Sequence, residues 1–324
     1  MSRNFLCLDI GGTNTRIGVV SDKLEVRASQ IRSTPELARH SIAEGLQELV
    51  AEWVAKTAAG QMAVAQAVGL AAPNSAAVDQ PLADQLLSGV VVGVPATVDA
   101  ACRRVLQAPN VDGLSGLDLA DLLEAVAGVP VVIEKDVNLL ILSDIHDLGI
   151  DPSASVAGVY FGTGIGNALY LGGQVWHGTN GVAGELGHVP QFGRTEVCGC
   201  GNPGCLECFG GGHHLAAVMR EYFPQTPIGK AFVYHSAAPQ VEEVLDAMAI
   251  AVATEANVLD PAEVIIGGGL PAMEGFDREA FAERVRTHLR KPYPAQTLSL
   301  RYSRQGQLSG LVGGALRMRA QEGC

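Results

Sequence analysis

The sequence is poor in positive charge and contains no long apolar run. Its 22 Lys and Arg residues stand against 34 Asp and Glu residues, which leaves a net charge of −12 at pH 7. Such a chain is repelled by nucleic acid and by acidic membrane surfaces. No stretch approaches the roughly 18 consecutive apolar residues of a membrane-spanning helix. We therefore expect neither nucleic acid nor a membrane as a partner.

The beginning of the chain also lacks the apolar core of a secretory signal. In MSRNFLCLDIGG the apolar residues are interrupted by Asp9, whereas a signal needs about 7–15 apolar residues in succession. The seven cysteines are an odd number, and those outside the cluster described below are scattered, as is typical of reduced cytosolic thiols. These features predict a cytoplasmic protein.

The remaining composition is that of a globular protein. The chain has 324 residues, of which 48% are hydrophobic and only 17% charged. This length is enough for two domains with cores of their own, although one large domain is also possible. Helical periodicity over 35–59 and strand-like runs at 64–71 and 89–94 favour an α/β protein.

Four potential metal ligands lie close together in the sequence: His188, Cys198, Cys200 and Cys205. One imidazole and three thiolates complete the tetrahedron that Zn²⁺ prefers. Because protein would fill all four positions, no site remains for a metal-bound water, and we predict a structural zinc. The alternatives are free thiols or a disulfide, which a Cys-x-Cys pair forms poorly.

Two acidic residues flank this cluster. Glu185 precedes His188 by three residues, and Glu207 follows Cys205 by two. A metal that fixes the directions of two carboxylates is suited to holding the hydroxyl groups of a polyol. The alternative is that both glutamates are solvated surface charges.

Two glycine-rich turns each join one apolar run to another. The first follows the acid of FLCLDI and consists of Gly11-Gly12-Thr13-Asn14, and the second is GTGIG at 162–166. Such turns expose backbone N–H groups that can bind phosphate oxygens, and Asp9 at the strand end could hold Mg²⁺ or its waters. No Gly-Lys-Ser/Thr follows, so neither is a Walker A loop. An ordinary hairpin turn is the alternative for the first. The repeat predicts two similar α/β domains facing one cleft.

A further acid and a further glycine run follow predicted strands. Asp136 comes after VVI and begins the helical segment VNLLILSDIHDL, where open α/β folds place active-site groups. An aspartate there is also a common helix N-cap. The run GGG at 267–269 would let a flat group such as adenine approach the backbone, or it could be a plain strand-to-helix turn.

Together, DIGGT (9–13), GTGIG (162–166), ELGH (185–188) and CGCGNPGCLE (198–207) resemble the ROK family of sugar kinases and repressors over nearly the whole chain. EKDVNLLI and HGTNGVAGELGHVP most resemble its allose-kinase-like members. The resemblance implies an actin-like, ribonuclease H-like two-domain ATPase fold. It implies a small α/β domain over 1–118, to which the helix 308–324 returns, and a larger one over 119–307 with the zinc motif.

The resemblance also implies that the protein is a homodimer in which Asp136 is the general base that accepts the proton of a sugar 6-hydroxyl group, with Mg-ATP as donor and D-allose as sugar. The implied sugar-binding residues are Gly93, Asn110, Lys135, Glu185, His188 and Glu207. The implied ATP-binding residues are Asp9, Gly11, Gly12, Thr13, Asn14, Gly162, Thr163, Gly164, Gly268 and Gly269.

Two departures from the family pattern concern specificity. Lys135 stands where many members have Asn, and Ala96 stands where many have Gly. Glucokinase, fructokinase and N-acylmannosamine kinase activities stay open as alternatives. A non-catalytic sugar sensor on the same fold would not need Asp9, Asp136 or intact glycine turns, and all of these are present.

Overall fold

The computed structural model describes residues 3–58, 86–304 and 306–321, so the strand predicted at 64–71 lies outside the described residues. The strands are β1 (Asn4–Ile10), β2 (Asn14–Ser21), β3 (Val26–Ser33), β4 (Leu87–Val94), β5 (Thr97–Val98), β6 (Val105–Gln107), β7 (Val131–Lys135), β8 (Val156–Phe161), β9 (Ile165–Leu171), β10 (Gln174–Val175), β11 (Glu263–Gly267) and β12 (Ser299–Tyr302). The helices are α1 (Thr34–Leu37), α2 (Ile42–Ala58), α3 (Leu119–Ala127), α4 (Asp136–Leu148), α5 (Glu207–Gly210), α6 (Gly212–Tyr222), α7 (Ala231–His235), α8 (Pro239–Leu259), α9 (Arg278–His288) and α10 (Ser309–Gln321). Short 3₁₀ turns occupy Leu186–His188 and Ile228–Lys230.

The chain divides into two compact units. The first comprises Met1–Ser143, Gly178–Val182 and Gly306–Cys324, and the second comprises Asp144–His177 and Ala183–Gln305. The boundary expected after residue 118 therefore differs from this division. Residues 119–143 belong to the first unit because β7 forms a parallel ladder with β4.

The first unit is built on a five-stranded sheet in the order β3-β2-β1-β4-β7. β1, β2 and β3 are antiparallel neighbours, whereas β4 and β7 run parallel to β1. One face of the sheet packs into a core with α2 and α3, and the other packs against α10 through Leu311, Ala315 and Met318. The sheet is thus covered on both faces, which explains why β1 and β4 read as nearly continuous apolar runs.

The second unit repeats this topology. Its sheet has the order β10-β9-β8-β11-β12, with β8 antiparallel to β9 and parallel to β11. In both units a strand turns through a glycine-rich hairpin and pairs on its other side with a parallel strand. The α/β class predicted from the two glycine turns is confirmed, and the arrangement agrees with the actin-like fold. That the two units face one cleft stays a prediction.

The helix predicted over 35–59 is two helices, α1 and α2. Ser41 separates them, because its hydroxyl group accepts a hydrogen bond from the Glu44 N–H at 3.1 Å and so begins α2. Both helices pack on the same sheet, so the apolar periodicity continues across the break between them. Periodicity alone therefore could not show where α1 ends and α2 begins. None of the helices in the described ranges has the length and apolarity needed to cross a bilayer.

Candidate active site and metal cluster

Two acids of the first unit lie at the carboxyl ends of parallel strands. Asp9 is near the end of β1, and Asp136 begins α4 directly after β7. Gly93 lies on β4, the strand between them, where a Cβ atom would be 3.7 Å from the Cα of Asp136 and 2.7 Å from a methyl group of Leu139. The absence of a side chain at 93 thus lets the start of α4 approach the sheet. Binding of sugar by Gly93 stays a prediction.

Asp136 has the properties of a base that works near neutral pH. Burial raises its pKa to about 7, and the negative charge of Asp9 contributes in the same direction. The N–H of Val137, which donates to the carboxylate at 2.8 Å, opposes this rise. Asp136 is the first residue of α4, and its carboxylate accepts a hydrogen bond from the N–H of the next residue, Val137. The side chain of an N-cap residue would instead accept from an N–H two or three residues further along the helix. The geometry is therefore not that of the N-cap alternative.

Asp9 is perturbed in the same direction as Asp136. Burial raises its pKa, although Arg16, whose Nη1 lies 3.4 Å from the Asp9 carboxylate, lowers it. Two neighbouring carboxylates that are both difficult to ionise form a suitable place for a divalent cation, since a cation stabilises both charges. The donor set therefore fits the predicted Mg²⁺.

Lys135, the last residue of β7, is buried, with an exposed fraction of 7%. This burial argues against a side chain that points into solvent, whereas contact with the sugar stays a prediction and pairing with a nearby acid stays the alternative. Its positive charge lowers the pKa of Asp136, but burial and the charge of Asp9 have larger effects in the opposite direction.

The first glycine turn is held by Thr34, a residue that sequence reasoning missed. The Thr34 hydroxyl group donates to the carbonyl of Gly11 at 2.6 Å, and its N–H donates to the carbonyl of Thr13 at 2.9 Å. Gly12, Thr13 and Asn14 are exposed beside this anchor. The exposed Asn110 lies next to the same turn. A Cβ atom on Gly12 would be only 3.1 Å from the backbone carbonyl oxygen of Asn110.

The second glycine turn is held by the start of α6. The N–H groups of Gly212 and His213 donate to the carbonyls of Gly162 and Thr163, both at 2.9 Å. The ring Nδ1 of His213 also lies 3.0 Å from the Thr163 carbonyl. Sequence reasoning missed His213. The Gly210-Gly211-Gly212 run before it was the available signal, since closely packed backbones favour glycine.

Two positions of the glycine run at 267–269 have no room for a side chain. A Cβ on Gly267 would lie 2.6 Å from a ring carbon of the buried Tyr160. Gly268 has φ +94°, and a Cβ there would lie 2.4 Å from the carbonyl oxygen of Phe161. Gly269 is exposed, and a Cβ there would meet nothing within 4 Å. Gly268 is therefore fixed by the fold, while Gly269 is free to contact a ligand.

The four predicted metal ligands of the second unit come together. One ligand atom from each of His188, Cys198, Cys200 and Cys205 lies within 4.8 Å of all the others. The Cys200 and Cys205 sulfurs are 3.6 Å apart, as are the Cys198 sulfur and His188 Nδ1. Tetrahedral zinc–sulfur bonds of ~2.3 Å place sulfurs ~3.8 Å apart. The residues therefore fit a zinc ion. Each of these three cysteines is free, which excludes the disulfide alternative in this structure.

Glu207 connects the metal cluster to the second glycine turn. One carboxylate oxygen lies 3.2 Å from the Cys198 sulfur and 3.7 Å from His188 Nδ1. The other accepts from the Ile165 N–H at 3.4 Å. Glu185 lies on the opposite side of the imidazole, 3.7 Å from His188 Nε2. Both glutamates thus lie beside the cluster, and each is partly exposed to a ligand. That a bound metal fixes the directions of their carboxylates stays a prediction.

Known proteins resemble this chain along most of its length. The ROK family profile matches residues 75–321. The N-acetyl-D-glucosamine kinase of Vibrio vulnificus (strain YJ016) is 31% identical over 286 residues, 82% of this chain and 84% of that protein. That of Photobacterium profundum is 28% identical over 323 residues, 95% of this chain and 96% of that protein.

Two solved structures share the fold. The ROK hexokinase from Thermus thermophilus has a TM-score of 0.74 at 24% identity, covering 98% of this chain and 99% of that one. A ROK glucokinase from Streptomyces griseus, solved with glucose and AMPPNP, has a TM-score of 0.74 at 23% identity, covering 99% and 100%.

Proposed function

The chain belongs to the ROK family and is a sugar kinase, and we propose that it transfers the γ-phosphoryl group of Mg-ATP to the 6-hydroxyl group of a hexose. The observation that carries this proposal is Asp136, an acid at a strand end whose pKa is raised to about 7. A carboxylate with that pKa can accept a proton at neutral pH more readily than an ordinary aspartate.

In the proposed reaction, the sugar hydroxyl oxygen forms a bond to the γ-phosphorus while the bond between that phosphorus and the bridging oxygen of ADP breaks. The hydroxyl proton passes to Asp136. Asp9 would hold Mg²⁺ directly or through water, and the ion would supply positive charge to the phosphate oxygens. Backbone N–H groups of the turns containing Gly12 and Thr163 contribute further stabilisation.

The sugar-binding part of the proposal rests on the second unit. The carboxylates of Glu185 and Glu207 accept hydrogen bonds from sugar hydroxyl groups, and the imidazole of His188 is held in place between them. A zinc ion held by this cluster would be structural, because the protein would supply all four of its ligands. A non-catalytic sensor would have no use for the perturbed acid pair of the first unit, which favours an enzyme. The homodimer stays a prediction.

The activity is expected to depend on pH through Asp136. Protonated Asp136 cannot accept the hydroxyl proton, so kcat/KM should fall by about tenfold for each pH unit below about 7. The measurement is kcat/KM between pH 5.5 and 9 at saturating Mg²⁺. Glu255→Gln is the matched control, since burial raises the pKa of Glu255 to about 7 as well and this variant should retain the acidic limb. A profile that is flat from pH 6 to 8 would contradict the assignment of Asp136 as base.

Two sugars compete as the substrate. Sequence motifs predicted D-allose, but the two relatives described above are N-acetyl-D-glucosamine kinases, and the motif-based choice has no support from them. We therefore favour N-acetyl-D-glucosamine. An acetamido group and the hydroxyl group at C2 present different hydrogen-bonding atoms, so one site discriminates strongly between them.

A panel of sugars tests this choice. In an ADP-release assay, kcat/KM is expected to be highest for N-acetyl-D-glucosamine among that sugar, D-allose, D-glucose, D-fructose and N-acetyl-D-mannosamine. Lys135→Asn should change the order of the sugars while the KM for ATP stays within about threefold, because lysine only donates hydrogen bonds whereas asparagine also accepts them. A higher kcat/KM for D-allose would restore the motif-based prediction and leave the kinase function intact.

A further inference from the structure

Glu134 is a buried acid that the proposed reaction does not use. It precedes Lys135 and Asp136 on β7, and only 1% of its surface is exposed. One carboxylate oxygen accepts hydrogen bonds from the Lys135 N–H at 3.0 Å and from the Asn138 side-chain amide at 2.8 Å. The other accepts from Arg317 Nε at 2.8 Å. A buried carboxylate whose two oxygens both accept hydrogen bonds has little freedom to move, so Glu134 holds its partners in place.

These partners belong to three elements of the first unit. Lys135 ends β7, Asn138 lies in the first turn of α4, and Arg317 lies on α10. Asp136 stands between the first two. The backbone of Asp136 is therefore held on both sides. The Lys135 N–H before it and the Asn138 side-chain amide after it donate to the same oxygen of Glu134.

α10 also approaches α4 and β1 directly. A Cβ on Gly313 would lie 2.0 Å from the Leu139 carbonyl oxygen, and one on Gly310 would lie 2.8 Å from the Asp9 carboxyl carbon. Two glycines thus let α10 lie against the backbone of α4 and against Asp9. Arg317, farther along the same helix, joins α10 to Glu134, so α10 has a fixed position relative to both acids.

We propose that Glu134 and Arg317 are a positioning pair that sets the direction of Asp136. This deepens the proposed function and rests on it, since it concerns the base of that reaction. Glu134 orders the start of α4 through its two hydrogen bonds, and Arg317 balances its charge and ties it to α10. A catalytic group displaced by about 1 Å can lose about 10²-fold in rate, so loss of the pair should be visible in kcat.

The test compares Glu134→Gln, Arg317→Met, Arg317→Lys and the double variant Glu134→Gln/Arg317→Met. Arg319→Met is the matched control, because Arg319 is exposed on the same helix. We expect kcat to fall about 10- to 100-fold in Glu134→Gln and in Arg317→Met. KM for ATP and for the sugar should stay within about threefold, Arg317→Lys should recover part of kcat, and the control should match the wild type.

The double variant keeps the test informative if a single variant fails to fold. Removing one partner leaves a buried charge unpaired, whereas removing both charges is better tolerated. The double variant should therefore regain Tm but keep the low kcat. Wild-type kcat in a folded single variant, or in the double variant, would overturn the positioning role. If the wild type transferred no phosphoryl group to any sugar of the panel, the proposed function itself would fail, which is a separate result.

Discussion

Replacing Asp136 with Asn is expected to lower kcat by about 10²–10⁴-fold, the usual effect of removing one general base. Asparagine keeps the shape of the side chain and an oxygen that can accept the Val137 N–H, which now donates at 2.8 Å. It cannot accept the proton of the sugar hydroxyl group. The KM for the sugar should therefore stay within a few-fold, and steady-state kinetics with the favoured sugar measures both constants.

The stability of this variant provides the control. The pKa of Asp136 is raised in the folded protein, so its ionisation opposes folding as the pH rises from about 4 towards 7. The asparagine side chain carries no charge, so the Asp136→Asn variant should have a Tm at pH 8 equal to or above that of the wild type. A folded variant with kcat within about threefold of the wild type would show that Asp136 is not the base.

Loss of the metal is expected to have the second large effect. Cys200→Ser removes one of four ligands and should release the zinc, and structural zinc contributes roughly 10–16 kcal/mol of apparent binding free energy in small domains. Residues 185–208 would lose their common anchor, so the Tm should fall by more than ~10 °C and the KM for the sugar should rise more than ~10-fold. Elemental analysis, thermal unfolding and kinetics measure the three quantities.

Cys208→Ser is the matched control for this experiment. Cys208 lies three residues after the ligand Cys205 and is buried in the same core, but it is not among the four clustered ligands. This variant should retain one zinc per chain and nearly unchanged kinetics. A wild-type protein that contains no zinc after purification without chelators would refute the zinc assignment.

Features set by short spacings were predictable from the sequence. His188 and the three cysteines fall within 18 residues. A segment this short can bring four ligands together without help from distant parts of the chain, so the cluster could be predicted from spacing. The two glycine turns likewise lie between adjacent strands, and each hairpin is complete within about 20 residues. Glu185 and Glu207 could be placed beside the metal for the same reason. Sites whose residues all lie within a short segment can therefore be identified from the sequence pattern of that segment.

Features that join distant parts of the chain were decided by the tertiary structure. Glu134 and Arg317 are separated by 183 positions, and no pattern near either residue identifies its partner. The anchoring of Gly11 by Thr34 and of Thr163 by His213 depends on how a helix or strand end packs against a turn. The raised pKa of Asp136 depends on burial and on Asp9, which lies more than 120 residues earlier. The sequence by itself thus indicated the family through its motifs, and the α/β class and the cluster of His188 with three cysteines through local patterns. Packing of remote segments decided the unit boundary, the electrostatics of the acid pair and the hydrogen bonds around the start of α4 at Asp136, because burial and charge proximity exist only in the folded chain.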